Sequence, residues 1–97
     1  MAKYLLTHAA RNDLEAIVDY IAQDSVEAAL HVLERIQETF ELIAANPGIG
    51  HFRSDLTSKP VRFYSVYSYL IVYLDKSEPT MILRVLGSAQ DAASILH

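Results

Sequence analysis

The sequence predicts an α+β fold in which an N-terminal helical hairpin packs on a small curved antiparallel β-sheet. Residues 60–86 contain three short apolar, β-branched runs, and the gaps between them are too short for a crossover helix, which is the pattern of an antiparallel meander. Upstream, two segments repeat apolar residues at helical spacing and are separated by a short break, so the helices are expected to fold back on each other. We therefore expect the hairpin to pack on the meander.

The composition is that of one globular domain spanning residues 1–97, with 52% hydrophobic and 21% charged residues. The absence of cysteine excludes a disulfide framework and a thiolate metal site, and we expect no metal or cofactor. The formal net charge of −4 weighs against a broad nucleic-acid surface, because phosphate binding needs clustered Lys and Arg. No stretch approaches the roughly 20 apolar residues that span a bilayer, so we expect an intracellular protein without a membrane segment.

The first elements are a short strand and a helix. The apolar run Tyr4-Leu5-Leu6 predicts an edge or partner strand of the sheet. Thr7 then offers a hydroxyl that caps a helix start. Apolar residues recur at helical spacing over His8–Gln23, which is the predicted first helix.

A second helix is predicted after a short break. Asp24 followed by Glu27 has the form of a capping box, with Asp24 as the N-cap acceptor. The helix is expected to stop at Asn46-Pro47-Gly48, because proline disfavours helix in the residue before it. Its apolar stripe comprises Ala29, Val32, Leu33, Ile36, Phe40 and Ile43.

The second half of the chain is a loop, three strands and a tail. Asn46–Lys59 is the only long connection, which makes it a candidate functional loop. The strands are expected at Val61–Val66, Tyr69–Leu74 and Met81–Leu86, and a final helical turn at Asp91–Leu96.

Every position in Tyr69–Leu74 is apolar or aromatic, so both faces of this strand need cover. The helical hairpin covers one face of the sheet. The other face then lies open, is covered by the tail or receives a partner. The alternative is a central strand buried by loops and long side chains.

Several segments between about Tyr4 and Asp91 carry a family resemblance. They are Leu6-Thr7, Asp13-Leu14, Tyr20-Ile21-Ala22, Asn46-Pro47-Gly48-Ile49-Gly50, Arg53-Ser54-Asp55-Leu56, Val61-Arg62, Tyr69-Leu70-Ile71-Val72-Tyr73 and Arg84-Val85-Leu86. In this order they resemble the RelE/ParE superfamily of toxins from bacterial type II toxin–antitoxin modules. The Pro-Gly-Ile-Gly loop and the Tyr-Leu-Ile-Val-Tyr strand resemble the ParE branch more than the RelE branch.

The resemblance implies a small cytoplasmic toxin that a cognate antitoxin neutralises, within a toxin–antitoxin hetero-oligomer. ParE-like members inhibit DNA gyrase by binding, whereas RelE-like members cleave mRNA in the ribosomal A site. An inactive relative that only binds an antitoxin is a third possibility.

RNA cleavage without a metal needs cations for the phosphate and a positioned acid and base. The resemblance assigns the cationic part to Arg62 and Arg84 on the strands. Arg53 and Lys59 lie in or beside the preceding loop, and the four would form a small cationic cluster. The family's segment after the last strand often reads His-Gly-Ala-Arg-Asp, but this chain has Gly-Ser-Ala-Gln-Asp over 87–91, and no tyrosine follows Tyr73. We therefore expect a toxin that binds and does not cut.

The candidate partner-binding residues lie on the strands and the tail. They are Arg62, Arg84, Tyr73, Leu86, Gln90 and Asp91. A structural alternative is that the two arginines pair with Asp55 or Asp91 and order the loop and the tail. The antitoxin is expected to bring a segment that is disordered when free and docks mainly through apolar anchors.

Overall fold

The computed structural model describes residues 3–87 and 90–96. The chain forms a first strand, two long helices, three further strands and a short terminal helix. In chain order they are β1 (Tyr4–Leu6), α1 (His8–Ala22), α2 (Val26–Ala45), a 3₁₀ turn (Pro47–Ile49), β2 (Val61–Val66), β3 (Tyr69–Leu74), β4 (Thr80–Gly87) and α3 (Ala92–Leu96). The predicted α+β class is confirmed.

The four strands form one sheet in the order β1-β4-β3-β2. The predicted meander is confirmed, because β2 pairs with β3 and β3 with β4, both antiparallel. β1 is an edge strand, as expected, but it runs parallel to β4 over Thr80–Ile82. The sheet is therefore mixed and not wholly antiparallel. The two intervening helices make this possible, since parallel neighbours need a long connection.

Both helix starts are capped by a hydroxyl. The Thr7 Oγ1 accepts a hydrogen bond from the Ala10 N–H at 3.1 Å and donates to the Leu83 carbonyl at 2.7 Å, which ties the start of α1 to β4. The predicted N-cap of α2 at Asp24 is wrong. The helix begins one residue later, and Ser25 accepts from the Ala28 N–H at 3.0 Å.

The main core lies between the helical hairpin and one face of the sheet, and Phe40 of α2 meets Tyr4 of β1 there with ring centroids 5.3 Å apart. Its buried members are Ala10, Leu14, Ile36, Phe40, Ile43, Val66, Ile71, Tyr73, Ile82 and Val85. Helical spacing supplies the first five and strand positions the others. The hairpin-on-sheet prediction is therefore confirmed.

A second cluster covers the opposite face of the sheet. Its buried members are Val61, Phe63, Val72, Leu86 and Leu96. Leu96 belongs to α3, and Leu56 of the long loop packs against the same cluster. The chain's own tail and loop thus cover this face, which was one of the outcomes that the apolar strand β3 allowed.

Candidate partner-binding surface

A buried tyrosine fixes the start of the long loop. The Tyr73 side chain is fully buried, and its hydroxyl donates to the Pro47 carbonyl at 2.6 Å and accepts from the Gly50 N–H at 2.8 Å. Burial raises the pKa of Tyr73. Tyr73 is therefore not a direct contact for a partner, contrary to the sequence-based assignment.

Gly50 is the residue that lets Tyr73 approach. A Cβ built on Gly50 would overlap the Tyr73 hydroxyl and lie 2.7 Å from Cε1 of the same ring, so any larger residue displaces the ring or the loop. At Gly48, two residues earlier, a Cβ would meet nothing within 4 Å. The loop sequence thus contains one glycine required by close approach and one that is not.

Arg62 extends the same network to the surface. Its Nε donates to Asp75 Oδ1 at 2.8 Å, and its Nη1 donates to the Gly50 carbonyl at 2.9 Å. Its guanidinium carbon also lies 4.3 Å from the centroid of the Phe52 ring. The partner of Arg62 is therefore Asp75 and not Asp55 or Asp91. Asp75 directly follows Leu74, which pairs with Val61 across the strands, and this register brings the two side chains together.

Asp55 forms an ion pair with Arg53 of the long loop. Arg53 donates from Nε and Nη2 to the two carboxylate oxygens of Asp55, at 2.9 and 2.8 Å. The hydrogen bond from Arg53 lowers the pKa of Asp55. Both side chains are solvent-exposed, so the pair contributes little to stability, but it neutralises Arg53.

Arg84 pairs with a residue of α1. β1 pairs with β4 only as far as Ile82. Beyond Ile82, the Asp13 carboxylate of α1 forms hydrogen bonds with β4. It accepts from Arg84 Nε and Nη2 at 2.7 and 2.8 Å, and from the Val85 N–H at 2.9 Å. These hydrogen bonds raise the pKa of Arg84.

Sequence analysis did not single out this role of Asp13, and its expected partners for Arg84, Asp55 and Asp91, are wrong. A signal was present. Asp13 occupies the helical position three residues after Ala10 and four before Ile17, inside the stripe that faces the sheet.

The two strand arginines do not form a cluster. Arg62 of β2 is held by Asp75 and the Gly50 carbonyl beside the long loop. Arg84 of β4 is held by Asp13 of α1. The predicted cationic cluster of Arg53, Arg62 and Arg84 is therefore not formed, and each of the three is neutralised by its own aspartate.

A groove of about 540 Å³ lies between α1 and the end of β4. It is lined by Asp13, Ala16, Ile17, Tyr20, Ser68, Tyr69, Val85, Gly87 and Gln90, and is called the β4-end groove below. Tyr20 stands at its rim with 74% of its surface exposed. Exposed aromatic and aliphatic side chains beside a concavity are typical of a protein-binding site. Of these lining residues Gln90 is a predicted partner contact, whereas Ile17 and Tyr20 are not among the predicted contacts.

The predicted tail contacts have three different environments. Gln90 lines the β4-end groove and accepts from the Gly87 N–H at 2.7 Å. Asp91 is exposed, and its carboxylate accepts from the Ser94 hydroxyl at 2.8 Å, which lowers the pKa of Asp91. Leu86 is only 1% exposed and packs in the second core, so it is not an exposed contact.

The described residues offer neither a metal site nor a membrane-spanning helix. Within residues 3–87 and 90–96, no group of three or more acidic, histidine or cysteine side chains is arranged to hold a metal ion. In the same part of the chain, no helix combines the length and apolar character needed to cross a membrane.

Comparison with known proteins decides the family. The family model for the ParE toxin of the type II toxin–antitoxin system parDE matches residues 4–92. The chain belongs to this family. Toxin ParE3 of Caulobacter vibrioides is 30% identical over 97 residues, which cover 99% of this chain and 96% of that protein. The predicted membership of the ParE branch is confirmed.

A solved structure described as the chromosomal ParDE TA system from P. aeruginosa is similar to this chain, with a TM-score of 0.72. The match covers 87% of this chain and 92% of the other, at 24% sequence identity. At this identity the likeness shows the fold alone. The ParE-family chain thus presents two distinct features on a shared fold: the concave β4-end groove and the braced loop that carries Phe52.

Proposed function

We propose that this chain is a cytoplasmic ParE-type toxin that inhibits DNA gyrase by binding to it and is neutralised by a cognate antitoxin. Membership of the ParE family over residues 4–92 carries the proposal. ParE-like toxins, as the resemblance implied, act on gyrase, and the partner of such a toxin is an antitoxin in a hetero-oligomer.

The state of the arginines supports binding over RNA cleavage. A nuclease of this family type would need free guanidinium groups converging on one phosphate. Here Arg53, Arg62 and Arg84 are each held by an aspartate at 2.7–2.9 Å, and the last two are held by different elements, the end of β3 and α1. The Tyr73 hydroxyl, which lies near Arg62, is buried and already both donates and accepts. It is not available as a proton donor.

The β4-end groove is the surface that we assign to the antitoxin. Its walls are mostly apolar, and among the described residues that line it the one carboxylate, Asp13, is already neutralised by Arg84. A segment that is disordered when free gains the free energy to fold by burying apolar anchors in such a groove. Because the chain has a net charge of −4 and the groove offers no free charge, apolar contacts dominate this interface.

The groove assignment has a direct test. Tyr20→Glu places a charge at the exposed rim, where folding does not require the ring, and it should weaken antitoxin binding at least tenfold while leaving the thermal midpoint unchanged. Leu30→Glu is the matched control, since Leu30 is 58% exposed on α2 and does not line the groove. Equal antitoxin affinity for both variants would reject the assignment.

A ribosome-dependent endoribonuclease is the second candidate function, and one arrangement favours it. His51, Arg53 and Tyr64 line a shared depression of about 370 Å³ on the protein surface. Histidine is the side chain that most often acts as a general acid or base, and in this depression Arg53 is already paired with Asp55. If codon-end cuts in ribosome-bound mRNA appear with wild type and disappear with His51→Ala, this candidate replaces the gyrase proposal.

The experiment that separates the functions is expression in a bacterial host with and without the adjacent reading frame, with DNA supercoiling and translation followed together. Growth arrest with lost supercoiling, relieved by the neighbour, supports the proposal. Arrest with lost translation and cleaved mRNA supports the nuclease. Harmless expression of the folded chain alone identifies an inactive, antitoxin-binding relative.

A further inference from the structure

The loop between α2 and β2 presents an exposed aromatic ring. Phe52 is 55% exposed, and it lies in the segment that connects the 3₁₀ turn to Arg53. A single exposed phenylalanine is common on protein surfaces and does not by itself indicate a function. This one differs because the backbone beside it is held by a dense set of hydrogen bonds.

The two residues before Phe52 have all four of their backbone polar groups bound. The Gly50 N–H donates to the Tyr73 hydroxyl, and the Gly50 carbonyl accepts from Arg62. The His51 N–H and carbonyl exchange hydrogen bonds of 2.9 and 2.8 Å with Phe63 of β2. On the other side, the Arg53 carbonyl accepts from two N–H groups of the following turn. Phe52 is therefore held between two fixed points.

The ring itself is also oriented. The Arg62 guanidinium lies 4.3 Å from the ring centroid, and Asp75 and the Gly50 carbonyl hold that guanidinium in place. One face of the ring is thus occupied by a fixed cation while more than half of the residue stays exposed. A side chain fixed in advance loses little conformational entropy on binding, which is the property of an interface anchor.

The charge around the ring indicates what it would contact. Residues 8–45, which hold both long helices, carry eight acidic and two basic residues, whereas residues 46–97 carry four acidic and five basic. Phe52 belongs to the second part, and the two guanidinium groups beside it, those of Arg53 and Arg62, are paired with Asp55 and Asp75. Because these charges are already paired, the complementary partner surface is an apolar slot.

We infer that Phe52 is the anchor with which the toxin engages its folded target, entering a preformed apolar slot. The inference rests on the proposed function, in which that target is gyrase. A projecting ring needs a concave partner, and a disordered antitoxin segment offers none until it folds. The antitoxin instead occupies the concave β4-end groove, so one molecule uses a cavity for its inhibitor and a projection for its target.

The test compares Phe52→Ala with Leu30→Ala, which removes an equally exposed apolar side chain from α2. Gyrase supercoiling is titrated with the purified full-length toxins, and antitoxin binding and thermal midpoints are measured on the same samples. Phe52→Ala should raise the concentration for half-inhibition by about 30-fold, the size expected for an interface hot spot, with antitoxin binding and folding unchanged. Leu30→Ala should match wild type in every measurement.

The possible outcomes separate the inference about Phe52 from the proposed function. If wild type inhibits and Phe52→Ala inhibits equally, the anchor inference is wrong and the proposed function stands. If Phe52→Ala loses antitoxin affinity as much as inhibition, the ring is not specific to the target, and the inference is again overturned. If wild type leaves supercoiling unchanged, the proposed function fails and the inference fails with it.

Discussion

The Tyr73 hydroxyl is the single group on which the shape of the loop depends most, and Tyr73→Phe removes it without changing the ring. Two hydrogen bonds disappear, one from the buried Gly50 N–H and one to the Pro47 carbonyl. A buried N–H without a partner costs about 1–3 kcal/mol. The Pro47 residue is exposed, so water can replace the second bond, and its loss costs about 0.5–1.5 kcal/mol. We therefore expect a loss of roughly 2–4 kcal/mol in the free energy of unfolding.

Urea unfolding followed by far-UV circular dichroism measures this quantity. The midpoint should fall while the slope with urea stays the same, since the surface exposed on unfolding does not change. Tyr64→Phe is the matched control, because the Tyr64 hydroxyl makes no hydrogen bond to residues 3–87 or 90–96 and its loss should cost less than about 0.5 kcal/mol. Equal stabilities for the two variants would refute the role assigned to the Tyr73 network.

The pH dependence gives the same hydroxyl an independent signature. Burial raises the pKa of Tyr73 in the folded state above its value of about 10 in the unfolded chain. At a pH between the pKa of Tyr73 in the unfolded chain and its higher pKa in the folded state, the unfolded state binds fewer protons than the folded state. The free energy of unfolding of wild type therefore falls as the pH rises above about 10. Tyr73→Phe lacks this contribution, and the stability gap between wild type and variant should narrow over that range. A gap that widens at high pH would contradict the assigned direction of the shift.

Three further perturbations test other parts of the structure. Gly50→Ala should destabilise the fold by more than about 2 kcal/mol in urea unfolding, whereas Gly48→Ala should be nearly neutral because its Cβ meets nothing within 4 Å. Similar values for both variants would show that the loop backbone shifts to accommodate the added methyl group. Asp13→Ala leaves the partly buried Arg84 guanidinium and the Val85 N–H unpaired, so the free energy of unfolding should fall by about 2–4 kcal/mol. The exposed control Asp19→Ala should lose less than about 0.5 kcal/mol. Equal losses would show that the Asp13 contacts do not stabilise the fold. Antitoxin affinity should change less than about tenfold between 50 mM and 500 mM salt, and a steep fall in isothermal titration would mean that charge, not apolar contact, holds the complex.

The elements that the sequence predicts well are those set by local patterns. The helical hairpin follows from apolar residues at 3.6-residue spacing and from hydroxyl caps such as Thr7, and the meander follows from short gaps between β-branched runs. The Asp24 cap was misplaced by one residue because Ser25, its neighbour, is an equally good acceptor. The parallel pairing of β1 could not be predicted, because a three-residue apolar run carries no information on direction.

The site was harder to predict because its contacts join distant parts of the chain. Arg84 and Asp13 are 71 residues apart, and Gly50 and Tyr73 are 23 apart. In β3 every residue is apolar or aromatic, so the alternation that would have placed Tyr73 in the core is invisible in the sequence. Residue type identifies the arginines as candidates, but only the folded contacts show that Arg62 pairs with Asp75 and Arg84 with Asp13.

A supercoiling titration with purified gyrase distinguishes a toxin that acts through a fixed surface from one that breaks bonds. Wild-type toxin should stop supercoiling at saturation, the antitoxin should restore it, and ribosome-bound mRNA in a parallel reaction should stay intact. Undisturbed supercoiling at saturating toxin, together with cleaved mRNA, would contradict action through a fixed surface.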